Sequence, residues 1–180
     1  MATSRSMQVF RDACDQLAGA LTPHGFKYRK SKRQLFRQGT LFEHRVTFGT
    51  SRSVNSLPGH VHLEVWATAW STALADYRKK ERIKLPTNEA VLFGAPIENL
   101  FRPAPPYIWY DVGDPKERTA VLARVTAVLR TEVLRAFEIV ESLAAFRKAV
   151  ESKAMPCIEE NASRDFFTCF GVNRRSNASE

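Results

Sequence analysis

The alternation of apolar and polar residues over residues 34–70 constrains the fold of this chain more than any other feature. Three runs, 34–40, 41–49 and 60–70, are rich in apolar and β-branched residues, and glycine or proline separates them. This punctuated pattern is typical of antiparallel strands joined by turns. Ser, Asn, Pro and Gly cluster at 51–59, which predicts a loop before the third run.

The run 60–70 has two chemically different faces. Small aliphatic side chains occupy alternate positions from 61 to 69, which predicts that this face lies in the core. The other face carries an acid, two histidines and two tryptophans: His60, His62, Glu64, Trp66, Thr68 and Trp70. The sequence leaves open whether a second layer of the protein covers this face or a partner contacts it.

Two helices are predicted on either side of these strands in the sequence. Apolar residues recur at three- and four-residue spacing from Val9 to Leu21, and Gly25 predicts the end of this first helix. Asp114 followed by Pro115 and Glu117 is a strong helix start, and the helix that follows is the longest in the chain. We expect its buried face to contain Val121, Val125, Leu129 and Phe137.

The expected fold class is α+β, with an antiparallel sheet of about four strands packed against the N-terminal helix and the long C-terminal helix. Residues 7–150 form a single domain, and 151–180 form a C-terminal tail that is partly packed and then frayed. The packed part is the apolar cluster at 166–170, and fraying begins at Asn173. Five prolines between 86 and 106 restrict regular structure there to short pieces, such as strands at 91–93 and 107–110.

Charge and hydropathy restrict the classes of partner. No apolar run approaches the roughly 18 residues of a membrane span, and the first seven residues do not begin a secretory signal. We therefore expect a cytoplasmic protein without membrane contact. The net charge is +8, and residues 1–60 alone carry ten Lys or Arg against three Asp or Glu, which gives +7. This polarised charge predicts an acidic partner.

The sequence contains no catalytic signature. It lacks a nucleophile elbow, a Cys-His arrangement and a glycine-rich phosphate loop, and its three cysteines match neither a zinc nor a disulfide pattern. His60 and His62, with Glu64 on the same strand face, are potential zinc ligands, but the alternation places His44 on the apolar side of its own strand. We therefore predict that the protein is not an enzyme and binds no metal or cofactor.

The motifs Gly25-Phe26-Lys27 and Leu35-Phe36-Arg37, with a helix before them and a long strand and two helices after them, resemble a bacterial family. This family is catalogued as domain of unknown function 4304, and the similarity covers about residues 10–150. The resemblance implies an α+β domain with an antiparallel sheet. It also implies a role like that of immunity proteins, whose genes lie beside toxin genes. It implies no catalytic residues.

Two functions follow from these observations. The first is a non-enzymatic, immunity-type binding protein that neutralises a bacterial toxin by occluding an acidic surface, since Trp and Arg anchor protein interfaces. The alternative is an RNA- or DNA-binding module that uses the basic stretch 27–37. The oligomeric state stays open. Both functions use the same predicted partner-binding residues: Trp66, Trp70, His62, Glu64, Lys27, Arg29, Lys30, Lys32, Arg33 and Arg37.

Overall fold

A computed structural model describes residues 5–50, 59–83, 90–103 and 109–171. Nearly all of the predicted 51–59 loop, the first half of the predicted 107–110 strand and the frayed end from Asn173 lie outside the described residues. The strands are β1 Lys27–Arg29, β2 Gln34–Gln38, β3 Glu43–Gly49, β4 His62–Trp70, β5 Val91–Pro96 and β6 Tyr110–Asp111. The helices are α1 Arg5–Leu21, α2 Thr72–Lys80, α3 Pro115–Val128, α4 Leu134–Val140, α5 Leu143–Glu151 and α6 Glu160–Gly171.

The fold is α+β, as the sequence predicts, and its sheet is antiparallel throughout. The strand order is β1-β2-β3-β4-β5, and β6 pairs with the beginning of β4. The three strands predicted within 34–70 are β2, β3 and β4, which are neighbours in that order. Within the described residues the sheet has six strands where about four were expected. The short strand predicted at 91–93 is part of β5, whereas β1 has three residues and carries too little alternation to predict it.

The helices form a layer on one face of the sheet. Phe137 of α4 stacks on His44 of β3 at 4.4 Å between ring centroids and lies 6.2 Å from the ring of Phe93 in β5. Phe166 of α6 stacks on Phe42, which directly precedes β3, at 5.8 Å. All five rings are on the side of the sheet where the alternation predicts the core, and they are fully or almost fully buried.

The long C-terminal helix begins as the sequence predicts. The Asp114 carboxylate accepts a hydrogen bond from the Lys116 backbone N–H at 2.8 Å, and Pro115 occupies the first turn. The helix then passes through a π-helical turn, Leu129–Val133, before it continues as α4. Val125, Leu129 and Phe137 are buried as expected, but Val121 is only half-buried because it lines a cleft beside the start of α3.

Residues 160–171 form helix α6, whereas the sequence analysis assigned them to a partly packed tail. The expected packing of the apolar cluster is present, since Phe166 is fully buried. The helix is also fixed by Asp165, whose carboxylate accepts a hydrogen bond from Arg78 Nε of α2 at 2.8 Å. Both side chains are almost completely buried, and Arg78 also donates to the Val91 carbonyl. Helix α6 is therefore packed against the rest of the fold.

A carboxylate at the end of α4 fixes the turn between β2 and β3. Glu141 accepts hydrogen bonds from the backbone N–H groups of Thr40, Leu41 and Phe42, at 2.8 to 3.2 Å, and from His44 Nε2 at 2.8 Å. Burial lowers the pKa of His44, so its neutral ring donates to Glu141 and accepts from Arg37 at Nδ1. His44 therefore has a structural role on the core side of the sheet.

Candidate functional site: the tryptophan face

The sheet face opposite the helices carries all three tryptophans of the chain. Strand alternation places Trp66 and Trp70 of β4 on it, beside Thr47 and Glu43 of β3. Trp109 precedes β6, and its ring packs against His62 at 5.1 Å. We call this surface the tryptophan face; besides these rings it presents Lys27, Arg29, Phe36, Glu43, Arg45 and Glu64.

The aromatic rings of this face are accessible to different degrees. Trp109 is 38% exposed, while Trp66, Trp70 and Phe36 are half-buried. Neighbouring strand residues bury part of each ring, so each can bury further apolar area against a partner without a large loss of side-chain entropy.

Two arginines lie against aromatic rings on the tryptophan face. The Arg29 guanidinium is 3.5 Å from the centroid of the Phe36 ring, and the Arg45 guanidinium is 4.3 Å from that of the Trp70 ring. Arg45 also pairs with Glu43. These cation–π contacts hold the guanidinium groups in fixed positions, which lowers the entropic cost of using them in an interface.

The structure places His62 below the surface. Its side chain is fully buried, it lies 3.4 Å from a Glu64 carboxylate oxygen, and Trp109 covers it. Burial lowers the pKa of His62 although Glu64 and Asp111 favour the charged form. Trp66 Nε1 donates to the other oxygen of Glu64 at 3.3 Å. His62 and Glu64 therefore position the tryptophans.

Only part of the predicted basic surface joins the tryptophan face. Lys27 and Arg29 lie on it, and Lys30 and Lys32 are exposed in the adjoining turn, where Lys30 pairs with Asp15 of α1. Arg37 is on the core side, where its guanidinium bonds His44 and the His24 carbonyl. Arg33 has a positive φ of 49° and lies toward Phe10 of α1. Arg37 belongs to the helix-side layer because side chains alternate along β2, and Arg33, which precedes β2, lies against α1.

Four residues of the face were not among the sequence candidates: Phe36, Glu43, Arg45 and Trp109. Arg45 had a usable signal, since it alternates with the buried residues of β3 and so had to lie opposite the core. Trp109 had none, because its position depends on the pairing of β6 with β4, about 50 residues away in sequence.

The histidines are held by separate partners. His60 pairs with Asp111, His62 lies beneath Trp109, and His44 is on the opposite side of the sheet. Within the described residues, no group of three or more His, Cys, Asp or Glu side chains is arranged to hold a metal ion. In the same part of the chain, no helix is both long and apolar enough to cross a membrane.

The fold and site together define an α+β protein with a tryptophan-bearing sheet face. Comparisons of the chain with protein-family models, curated proteins and solved structures found no match. The resemblance to domain of unknown function 4304 therefore stays a prediction from the two short motifs, and the function must be argued from the site itself.

Proposed function

We propose that the protein is a non-enzymatic binding protein whose tryptophan face docks onto an acidic surface of a protein partner. The observation that carries the proposal is the convergence of Trp66, Trp70 and Trp109 with Arg29 and Arg45 on one sheet face. Trp and Arg are the residues enriched among interface hot spots, and they act where partly buried rings lose their remaining water on binding.

The charge around the face favours an acidic partner. The face carries Lys27, Arg29 and Arg45 against two glutamates, and the exposed Lys30 and Lys32 adjoin it in the turn between β1 and β2. Cations at the rim of an interface speed association with an oppositely charged surface and contribute less to the lifetime of the complex.

The same geometry favours a protein over a nucleic acid. Arg29 already occupies a face of the Phe36 ring, and Arg45 lies close over Trp70, so these rings offer less area for stacking with bases. Binding to RNA or DNA is the alternative outcome that the experiment distinguishes.

The biological form of this proposal is an immunity-type protein that neutralises a bacterial toxin by occluding it in the cytoplasm. The toxin is what the sequence resemblance implies, and the cytoplasmic location is an expectation from the sequence. The non-enzymatic character comes from the lack of catalytic motifs in the sequence. The tryptophan face supports the binding step itself.

The test is affinity capture from the native cell with nuclease treatment, followed by binding measurements with the purified partner. We expect a protein that stays bound after nuclease treatment and binds the pure chain directly. Trp66→Ala should weaken binding by about 2 kcal/mol or more, chiefly through faster dissociation. A partner lost on nuclease treatment, or an unchanged affinity of the folded variant, would contradict the proposal.

The cations are tested by a charge-matched pair of triple variants. The first variant replaces three lysines at the rim by glutamine: Lys27, Lys30 and Lys32. It should associate with the partner more slowly, and its association rate should depend less on salt. The control removes three exposed cations at α5, in the helix layer: Arg147, Lys148 and Lys153. Equal effects of the two triple variants would mean that net charge, and not the rim of the tryptophan face, attracts the partner.

A further inference from the structure

A cleft of about 1090 Å³ lies outside the tryptophan face. Four segments meet to form it: the residues where the chain enters β4, the segment that follows β6, and the first turns of α1 and α3. Its polar side chains include Arg5, His60, Asp111, Arg118 and Arg124. This volume is at the upper end of the range for small-molecule sites, so a ligand of nucleotide size can be accommodated.

His60 and Asp111 form a fixed pair in this cleft. Asp111 Oδ1 accepts hydrogen bonds from the backbone N–H groups of Val61, at 3.0 Å, and Gly113, at 2.8 Å, and its Oδ2 pairs with His60 Nδ1. Burial raises the pKa of Asp111, but these donors outweigh it and keep the pKa below its usual value. Ionised Asp111 holds a proton on Nδ1, so Nε2 of the half-exposed His60 is the nitrogen left for a ligand hydroxyl.

The charged groups of the cleft divide into two sets. Asp111 is bonded as described, Asp114 caps α3, and Arg118 donates to the carbonyls of Val112, at 2.7 Å, and Gly113, at 3.1 Å. These three side chains build the walls of the cleft. The second set consists of Arg5, Arg124 and the exposed Glu117. It carries two positive charges and one negative charge, so this set is cationic.

Arg124 is held in place by an aromatic contact. Its guanidinium lies 5.4 Å from the centroid of the Tyr110 ring. A guanidinium that is positioned in this way can bond two oxygens of one phosphate. Val9, Val61 and Val121 line the same cleft, and they offer an apolar surface to the rest of a ligand. The half-burial of Val121 follows from this position.

We propose that this cleft binds a small organic phosphate that also carries hydroxyl groups, such as a nucleotide or a sugar phosphate. Arg5 and Arg124 bind the phosphate oxygens, His60 Nε2 accepts a hydrogen bond from a ligand hydroxyl, and the valines contact the apolar part of the ligand. The cleft shares no residue with the tryptophan face, so this site stands or falls independently of the proposed function.

The test is a titration of the ¹⁵N-labelled full chain with AMP, followed by NMR. We expect saturable shifts at the backbone amides that line the cleft, those of Gly59, His60, Val61 and Gly113. Arg124→Gln should weaken binding by about tenfold or more, the effect of one lost charged hydrogen bond. Arg147→Gln is the matched control, because Arg147 also lies 5.4 Å over a ring, that of Phe167, outside the cleft. We expect it to bind AMP as the wild type does.

Further probes separate the phosphate from the rest of the ligand. Adenosine should bind much more weakly than AMP, and Arg5→Gln should weaken AMP binding without touching the Tyr110 contact. Any of three results would overturn the proposal. The first is a lack of saturable shifts at cleft residues up to about 10 mM AMP. The second is equal binding of adenosine and AMP, and the third is an equal loss of affinity in Arg124→Gln and Arg147→Gln.

Discussion

The buried ion pair between α2 and α6 gives the sharpest stability prediction, for the variant Asp165→Ala. The side chain of Arg78 is 0% exposed and that of Asp165 is 2% exposed, with 2.8 Å between Nε and Oδ2. Removal of the carboxylate takes the 2.8 Å partner away from a buried guanidinium charge. We therefore expect a loss of about 3 to 5 kcal/mol in the free energy of unfolding. This is a large fraction of the 5 to 15 kcal/mol typical of a domain.

Urea denaturation measures this loss. With an m-value of about 2 kcal/mol/M, the midpoint should fall by about 1.5 to 2.5 M. Asp15→Ala is the control, since it breaks the Lys30–Asp15 pair, which has a similar distance of 2.7 Å but side chains 74% and 45% exposed. That variant should lose less than about 1 kcal/mol.

A double variant isolates the electrostatic contribution of the pair. Arg78→Met combined with Asp165→Leu should recover most of the stability, because it removes both charges of the buried pair. A loss of less than about 1 kcal/mol in Asp165→Ala would refute the reasoning, since it would mean that the Arg78–Asp165 pair does not fix α6 in the core.

Three further predictions concern single positions. Burial raises the pKa of Glu98 to about 7 from 4.5, which means that the folded state favours the protonated carboxyl group. The stability that this preference contributes is fully present below about pH 4.5 and is lost as the pH rises through 7. Glu98→Gln should therefore raise stability at about pH 8 by about 1 to 2 kcal/mol after discounting for solvent screening, with little gain below pH 4.5. Glu138→Gln, at an exposed position of α4, is the control for the loss of one carboxylate. Gly39→Ala should cost about 1 to 3 kcal/mol, because a Cβ there clashes with Glu141. Gly19→Ala should stabilise the protein by up to about 1 kcal/mol, because a Cβ there meets nothing within 4 Å in α1. If thermal melts showed Gly39→Ala to be more stable than Gly19→Ala, the packing of the turn between β2 and β3 would be contradicted.

The sequence predicted those parts of the fold that local rules determine. Residues 34–70 alternate regularly, so three strands and their faces follow from the pattern. Asp114 and Pro115 begin a helix by capping chemistry that acts within one turn. By contrast, β6 pairs with β4 through contacts distant in sequence, and α6 is fixed by an ion pair between residues 87 positions apart. No local pattern encodes such contacts.

The candidate site shows the same division. Trp66 and Trp70 were placed on the correct strand face because alternation was applied to β4. The cations of 27–37 were treated as one group, although the same alternation separates Arg37 from Arg29 and Lys27. The role of His62 as a buried support depends on Trp109, which reaches it only through the tertiary fold.

The most direct test of the tryptophan face uses its three indole N–H groups as probes. The chain has three tryptophans, so the ¹⁵N-labelled protein has three indole signals, and an unlabelled partner contributes none. On addition of the captured partner, we expect the signals of Trp66, Trp70 and Trp109 all to shift or broaden until the complex is saturated. If all three stay unchanged while backbone signals elsewhere shift, the partner binds another surface and the central claim is wrong.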